Sequence, residues 1–433
     1  PSARVEDGHF VLTINGNRDN WAAIVQSAGV PAVNETTIDG DTMVVRWPSV
    51  ADQIFGADGA IAKLLPNYEV RLPQLHMARL VQRAIEMGQP AVVEAGTGTG
   101  KSYAYAAVCM ALNKKVIIST SNKALQMQLI EKDLPFLQRI WPGKKVAVSV
   151  GKGNYACRLK CEPLSTVMQN HDDLAHWIYT TVTGNVEEID FAVTPKALHD
   201  ITVDDDCTGK HCPLYDECFY YRARAALQNA DVVVTNHALL CLDQVAEGHI
   251  LPPADVVVVD EAHKLPDYMR SARGCEITVP QVQRTIALAE GYAEIDDMGD
   301  ALDALTVLER SMALATNNTD DSQVQIHHDE KLDGAVDLTQ HLLNLADDVF
   351  PEDELPSDPD EKKLAKRATR MRHMAGKVAM MAGPTKDGYV RWIEQSRSGD
   401  PAKLMAQPFD VSRWVAQLAG VNTVPTVQRP DWT

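Results

Sequence analysis

Two short runs of this sequence carry residue types that handle phosphate. The first spans residues 91–102 and passes from a β-branched segment through alternating glycines into helix-forming sequence. Gly96, Gly98 and Gly100 let backbone N–H groups converge on phosphate oxygens without interference from Cβ atoms, with Thr97 and Thr99 between them. Lys101 follows where a cation can reach the β- and γ-phosphates of ATP, and the Ser102 hydroxyl can ligate Mg²⁺. A helix opening near Lys101 adds its positive dipole end. Ala95 stands where the strict pattern has glycine, which leaves the cradle intact. The second run is four valines ending in Asp260, Glu261, Ala262 and His263. Here a buried strand would deliver Asp260 to Mg²⁺ and Glu261 to the attacking water, with His263 coupling the site to its neighbours. Either run alone has an ordinary explanation, as a glycine turn or as surface carboxylates after a strand. Together they supply both parts that phosphoryl transfer needs.

The elements that must position these residues follow from hydrophobic pattern. Residues 91–94, 116–120, 146–150, 231–235 and 256–260 are short β-branched runs. Several are apolar throughout, as expected of strands buried on both faces of a parallel sheet. The first two precede helix-forming stretches at 102–112 and 123–132, which predicts a doubly wound α/β domain. Residues 151–230 are too long for a plain connection and predict an inserted domain. Beyond Lys264, helical patterns at 280–289, 301–315, 332–349 and 361–381 are separated by acidic breaks at 317–330 and 351–360. Residues 10–14 and 42–47 alternate and predict a small accessory element.

Composition bounds the class. The chain has 433 residues, 45% of them apolar, which suits about three globular domains. No apolar run approaches a membrane span, and residues 1–30 lack the order of a signal peptide, so a cytoplasmic protein is expected. A formal charge of −18 argues against a surface coated with basic patches and confines any nucleic-acid path to particular segments. Five of the eight cysteines (Cys157, Cys161, Cys207, Cys212 and Cys218) fall in the long excursion. In a cytoplasmic enzyme such clustering favours a metal site or catalysis over disulfides. Cys109, Cys241 and Cys275 read as small buried side chains. The excursion also interleaves Lys152, Arg158, Lys160, Lys210, Arg222 and Arg224 with Tyr155, Tyr215, Tyr220 and Tyr221. Cations can neutralise phosphates and aromatic faces can stack on unpaired bases, although most of these rings read as packing. The basic run at 362–372 reads either as a DNA contact or as a solvated helix face.

The glycine loop and the Asp-Glu-Ala-His run resemble the first and second motifs of superfamily-two helicases of the DinG/XPD group. Arg71 and Gln74 are similar to that group's adenine-reading element, and residues 119–129, with Ser121, Asn122 and Lys123, to its DNA-backbone motif. Residues 236–240 and 408–414 also resemble family segments. The resemblance implies a RecA-like P-loop motor with a parallel sheet, an inserted cysteine-rich iron–sulfur domain and a mainly helical arch closing over DNA. It implies a 4Fe-4S cluster on Cys157, Cys207, Cys212 and Cys218, with Cys161 an extra candidate and zinc the rival metal. It further implies an ATP-dependent helicase moving 5′ to 3′ on single-stranded DNA, acting on forked or branched DNA, with a place in DNA repair.

The expected division is 1–52 accessory element, 53–150 and 229–270 first motor, 151–228 iron–sulfur insertion, 271–405 arch, and 406–433 return to the motor. No Gly-Arg dipeptide and no Ser-Ala-Thr tripeptide occur, so the motifs of a second motor domain are missing. With Pro1 first, the sequence reads as part of a longer protein. The alternative to a helicase is a half-motor that binds ATP and single-stranded DNA beside a partner supplying or replacing the second motor.

Overall fold

The computed structural model describes residues 2–6, 9–15, 18–21, 24, 35–162, 172–204, 207–316, 322–327, 330–382, 388–395 and 401–420. Near the N-terminus, β1 (Ser2–Glu6), β2 (His9–Asn15), β3 (Glu35–Asp39) and β4 (Thr42–Pro48) form an antiparallel sheet in the order β1-β2-β4-β3. This accounts for the alternation at 10–14 and 42–47. Ser49 then caps α1 (Val50–Phe55) by accepting from the Asp52 N–H. α2 (Leu72–Met87) buries Leu75 and Ala78, three apart on one face, and α3 (Lys101–Ala111) buries every side chain from Ala104 to Met110.

The expected strand at 91–94 is not formed. The segment runs without ladder partners, and Val92 is fully exposed at 101%. An extended run becomes a strand only when a neighbour supplies hydrogen bonds, and no described residue does so here.

The valine runs behave otherwise. β5 (Val116–Thr120) is buried along its whole length. α4 (Lys123–Gln128), a π turn at Leu129–Asp133 and α5 (Leu134–Gln138) cover the stretch expected as one helix. β6 (Val146–Val148), β7 (Val232–Asn236) and β8 (Val256–Val259) complete a parallel sheet in the order β6-β7-β5-β8. Val116 of β5 pairs with Val232 on one side and Val256 on the other, which brings the C-terminal ends of β5, β7 and β8 to one edge. β8 was expected to be buried on both faces. It is an edge strand, and Val257 is 41% exposed.

α1, α2 and α3 cover one face of this sheet through Phe55, Ala78, Val108 and Ile118. Phe55, Val108 and Ile118 each contribute about 1.5–3 kcal/mol when fully buried, and Ala78 less. The other face is covered by α9 (His237–Val245) and α10 (Leu265–Arg273), named after α6 (Asp172–Thr180), α7 (Pro195–Ile201) and α8 (Phe219–Gln228), which lie between β6 and β7 in the chain. Those three helices pack around Tyr155, Ala156, Leu174, Ile178, Ile201 and Phe219, a core separate from the sheet's.

After α10 the chain forms a mainly helical unit that also carries a sheet, which the helical patterns did not announce. β9 (Cys275–Thr278), β10 (Gln323–Ile326), β11 (Tyr389–Glu394) and β12 (Lys403–Pro408) make an antiparallel sheet in the order β10-β11-β12-β9. α11 (Val279–Ile286), α12 (Ile295–Thr316), α13 (Ala335–Val349) and α14 (Pro359–Ala382) share one core with that sheet. β12 belongs to this unit up to Pro408, past the expected return at 406. α15 (Ser412–Leu418) then lies on α10, with Val411, Trp414, Leu265 and Met269 in one cluster. Residues 317–321 and 328–329 of the expected acidic break, and the tail 421–433, lie outside the described residues.

Candidate active site

The glycine loop folds tightly because its sequence permits a conformation that side chains resist. Gly98 and Gly100 sit at φ 76° and 77°, and Gly100 is the residue before α3. The loop's carbonyls are taken by cations and amides of its own neighbourhood. Lys101 Nζ donates to the Ala95 carbonyl at 3.1 Å, Gln74 Nε2 to Gly100 at 3.0 Å and Arg71 to Gly98 at 3.5 Å. Thr99 Oγ1 closes on the Gly96 carbonyl at 2.9 Å. Arg71 and Gln74, expected beside an adenine, thus lie against the loop backbone. Ser102 follows in the first turn of α3, half-buried.

The acidic run meets this loop from the end of β8. The Asp260 N–H donates to the Ser119 carbonyl at 2.9 Å, which continues the ladder one residue past β8. Asp260 accepts from the Tyr105 hydroxyl at 3.2 Å and from the Glu261 N–H at 3.1 Å. Glu261 adopts left-handed backbone (φ 57°, ψ 44°), a conformation that costs a non-glycine residue about 1–2 kcal/mol. Such strain is commonly retained where it aims a functional group. It turns the carboxylate towards Lys101, 3.5 Å away, with His263 at 3.5 Å from the other oxygen. Residues 160 positions apart in sequence therefore come within ion-pair reach.

Tyr105 was not foreseen. It lies four residues after Lys101, on the same face of α3, and that spacing was the available signal. Burial first, then the Asp260 carboxylate, push its phenol well above the ordinary range, so it stays a donor to Asp260.

A second buried polar group lies beneath the ends of β5 and β7. Ser119, Thr120 and His237 are fully buried, and Ser119 Oγ is 2.7 Å from His237 Nδ1. The Tyr268 hydroxyl donates to the Ser121 carbonyl at 2.6 Å, and Lys264 Nζ donates to Ser121 Oγ at 3.4 Å. Burial lowers the His237 pKa. Ser121 is itself only 5% exposed, so of the three residues expected on DNA at the end of β5 it is Asn122 and Lys123 that face outward. Asn122 caps α4 by accepting from the Leu125 N–H, and Lys123 pairs with Glu187 of the insertion at 2.7 Å.

The insertion corrects several readings of its charged and aromatic residues. Tyr155 is 5% exposed, its ring packed 5.8 Å from Tyr220, so it offers no face to a base. Arg158 lies over Phe219 at 4.5 Å, Lys160 pairs with Asp204 at 2.7 Å, and Arg224 bonds the Ile250 carbonyl at 2.9 Å. Lys152 is half-buried in the turn before Tyr155, and Arg222 of α8 is exposed. Of the basic run on α14, Arg372 bonds Asp347 and Lys363 bonds Asp360, while Lys366 reaches the Cys207 carbonyl at 2.8 Å.

The cysteines divide into two kinds. Cys161 is 4% exposed, its Sγ 3.9 Å from the Ile201 carbonyl, and burial pushes its thiol up to about 12. Cys157, Cys207 and Cys212 are half-exposed. Burial raises the Cys157 thiol, opposed by the backbone of Lys160 and Leu159, with Cys207 near enough to add to the rise. Hydrogen bonds of this kind suit a thiolate ligand. Among the described residues, however, no three His, Cys, Asp or Glu side chains are gathered closely enough to hold a metal. The donor set has the chemistry for a cluster; the sulfurs are not drawn into one shell.

The family described as DEAD_2 matches residues 193–282. The chain is 43% identical over 229 residues to the ATP-dependent DNA helicase YoaA of Escherichia coli (strain K12), covering 49% of this chain and 36% of that protein. It is 39% identical over 241 residues to the ATP-dependent helicase DinG of Mycobacterium tuberculosis (strain ATCC 25618 / H37Rv), covering 48% of this chain and 36% of that protein. A solved structure titled XPD_Helicase aligns at 16% identity and a TM-score of 0.46, over 82% of this chain and 57% of that one. The chain thus matches little more than a third of the length of these curated relatives. No described helix is long and apolar enough to cross a membrane.

Proposed function

We propose that this chain, a DinG-type superfamily-two helicase relative across its matched half, is the ATP-hydrolysing part of a DNA helicase that moves 5′ to 3′ on single-stranded DNA. The observation that carries the reading is the Lys101–Glu261 approach at 3.5 Å, beside an Asp260 held by Tyr105. Bound Mg²⁺ would supply positive charge against the charge that develops on the phosphates. Ser102 and Asp260 would hold it. Lys101 leaves the Ala95 carbonyl for phosphate, and Glu261, released from Lys101, orients and deprotonates the attacking water. Gly96, Thr97, Gly98, Thr99 and Gly100 supply the cradle, and Arg71 and Gln74 move from the loop backbone to the base.

The DNA path in this reading crosses Asn122 and Lys123 at the end of β5 and Arg222 on α8. Its arch is closed by Lys366 on the Cys207 carbonyl. The 4Fe-4S cluster is assigned to Cys157, Cys207, Cys212 and Cys218. Cys157 is taken in preference to Cys161 because it stands at the position the family resemblance gives to the first ligand, and Cys218, like Cys161, is buried.

The test is ATP hydrolysis by the 433-residue chain, with and without single-stranded DNA, beside Lys101→Ala and Glu261→Gln. DNA-stimulated turnover that both substitutions abolish is expected of a motor. ATP and DNA binding without turnover means a half-motor awaiting a second domain. Undiminished turnover in Glu261→Gln overturns the assignment of the water-activating carboxylate.

A further inference from the structure

His237 occupies a position that neither the nucleotide loop nor the DNA-facing residues explain. It opens α9 directly after Asn236, the last residue of β7, and none of its surface is exposed. One ring nitrogen, Nδ1, lies 2.7 Å from Ser119 Oγ in β5. The ring stands edge-on to Tyr268 of α10, with centroids 5.4 Å apart, and the Tyr268 hydroxyl holds the Ser121 carbonyl at 2.6 Å. The other nitrogen, Nε2, is buried without a hydrogen-bond partner. The backbone of Asp260 and Glu261 lies close enough to the ring to favour its protonated form, as does the Asp260 carboxylate, and Lys264 opposes it, yet no contact to Nε2 has the geometry of a made hydrogen bond.

A core that needed only volume here would be served by an apolar ring, because a buried polar nitrogen left unpaired is destabilising. The groups around His237 suggest what the imidazole adds. Ser119 and Ser121 belong to the strand end that leads into Asn122 and Lys123. Asp260 and Glu261 form the turn at which the Glu261 backbone is left-handed. One nitrogen is engaged on the first segment; the unengaged one borders the second. An unmade bond at such a place gives the turn a second arrangement, in which a 260–261 carbonyl accepts from Nε2–H.

Resting on the helicase reading above, we propose that His237 is a positioning residue that couples DNA held at the end of β5 to the placement of Glu261. Making the Nε2–H bond draws the acidic turn into its working position; Ser119 holds the ring for that bond, and the Tyr268 hydroxyl ties the ring's neighbour to the Ser121 carbonyl at the DNA-facing strand end. His237 touches neither ATP nor DNA in this role, so its loss acts on the communication between ligands and not on either affinity alone.

The experiment measures the affinity of the chain for a fluorescent Mg²⁺–ATP analogue, with and without saturating oligothymidylate. It compares the unaltered chain with His237→Ala and with Tyr268→Phe, which deletes a single hydroxyl and should fold even where His237→Ala does not. Couplings between ligand sites are typically about 5–150-fold. In the unaltered chain, DNA should change nucleotide affinity by about tenfold within that range. In His237→Ala and Tyr268→Phe the change should fall below twofold, with nucleotide and DNA each still binding alone nearly as before, and His237→Asn, which can restore the bond to Ser119, should recover part of it. Full coupling in either first variant overturns the proposal. An unaltered chain that binds both ligands without coupling also overturns it and leaves the helicase reading standing. A chain that binds neither ligand overturns both.

Discussion

Replacing Gly100 with alanine separates the local geometry of the phosphate loop from its sequence pattern. An alanine methyl at Gly100 would lie 2.1 Å from Gln74 Nε2 and 3.1 Å from its Cδ, and the backbone there is left-handed at φ +77°. The left-handed conformation alone costs alanine about 1–2 kcal/mol. Gln74, only 7% exposed, must also give up its bond to the Gly100 carbonyl. That loss is about 1 kcal/mol net. The sum is about 2–3 kcal/mol of stability. Gly96 belongs to the same motif, yet a methyl there meets nothing within 4 Å. Gly96→Ala should therefore melt within a degree or so of the unaltered chain, well above Gly100→Ala. Urea unfolding followed by far-ultraviolet circular dichroism gives the two values, and Gln74→Ala in the Gly100→Ala background completes a double-mutant cycle. The cycle should return about 1 kcal/mol, with the remainder staying as backbone strain. Equal stability of the two glycine variants, or a null cycle, would refute the close approach of Gln74 to the loop.

Three further outcomes are expected. Cys157→Ser should lose the iron and visible absorbance of anaerobically purified protein, whereas Cys161→Ala should keep both; the reverse pattern would move the ligand assignment to Cys161. Arg391, 1% exposed, donates to the carbonyls of Met381, His327 and Glu330. Arg391→Met leaves three acceptors unpaired and should destabilise the β9–β12 unit by about 3–5 kcal/mol in urea, enough to separate its unfolding from that of the parallel sheet. Burial raises the Asp231 pKa, but the Lys145 N–H and Lys144, at 3.1 Å, outweigh it and leave the carboxylate below its ordinary value. A depressed folded-state pKa contributes stability above the unfolded value near 4, which is lost as pH falls through the folded one. Asp231→Asn should therefore lower the melting temperature at neutral pH and converge on the unaltered chain once the pH has fallen through the depressed folded-state value. A constant difference across that window would show that the ion pair contributes nothing.

What the sequence determined by itself are the features whose physics is local. The alternation of glycines before Lys101, the four valines before Asp260, and the 3.6-residue periodicity of α12, α13 and α14 are each complete within a few turns or one strand. Four of the five β-branched runs became strands of one parallel sheet for the same reason. The fifth, at 91–94, shows where that reasoning stops: its residues are as strand-prone as the rest, but pairing is decided by the neighbour. The β9–β12 sheet was illegible for the converse reason, since Cys275 and Ala406 pair across more than a hundred residues and short runs between helices carry no sign of it. The cations of the insertion likewise looked available in sequence, and tertiary contacts spend Arg158, Lys160 and Arg224 within the protein. Only the folded chain sets Tyr105 on Asp260 and His237 between Ser119 and the acidic turn, because these contacts join helices to the ends of parallel strands distant from them in sequence. Such ends are brought together by crossover connections, and the length of a crossover conceals the adjacency it creates.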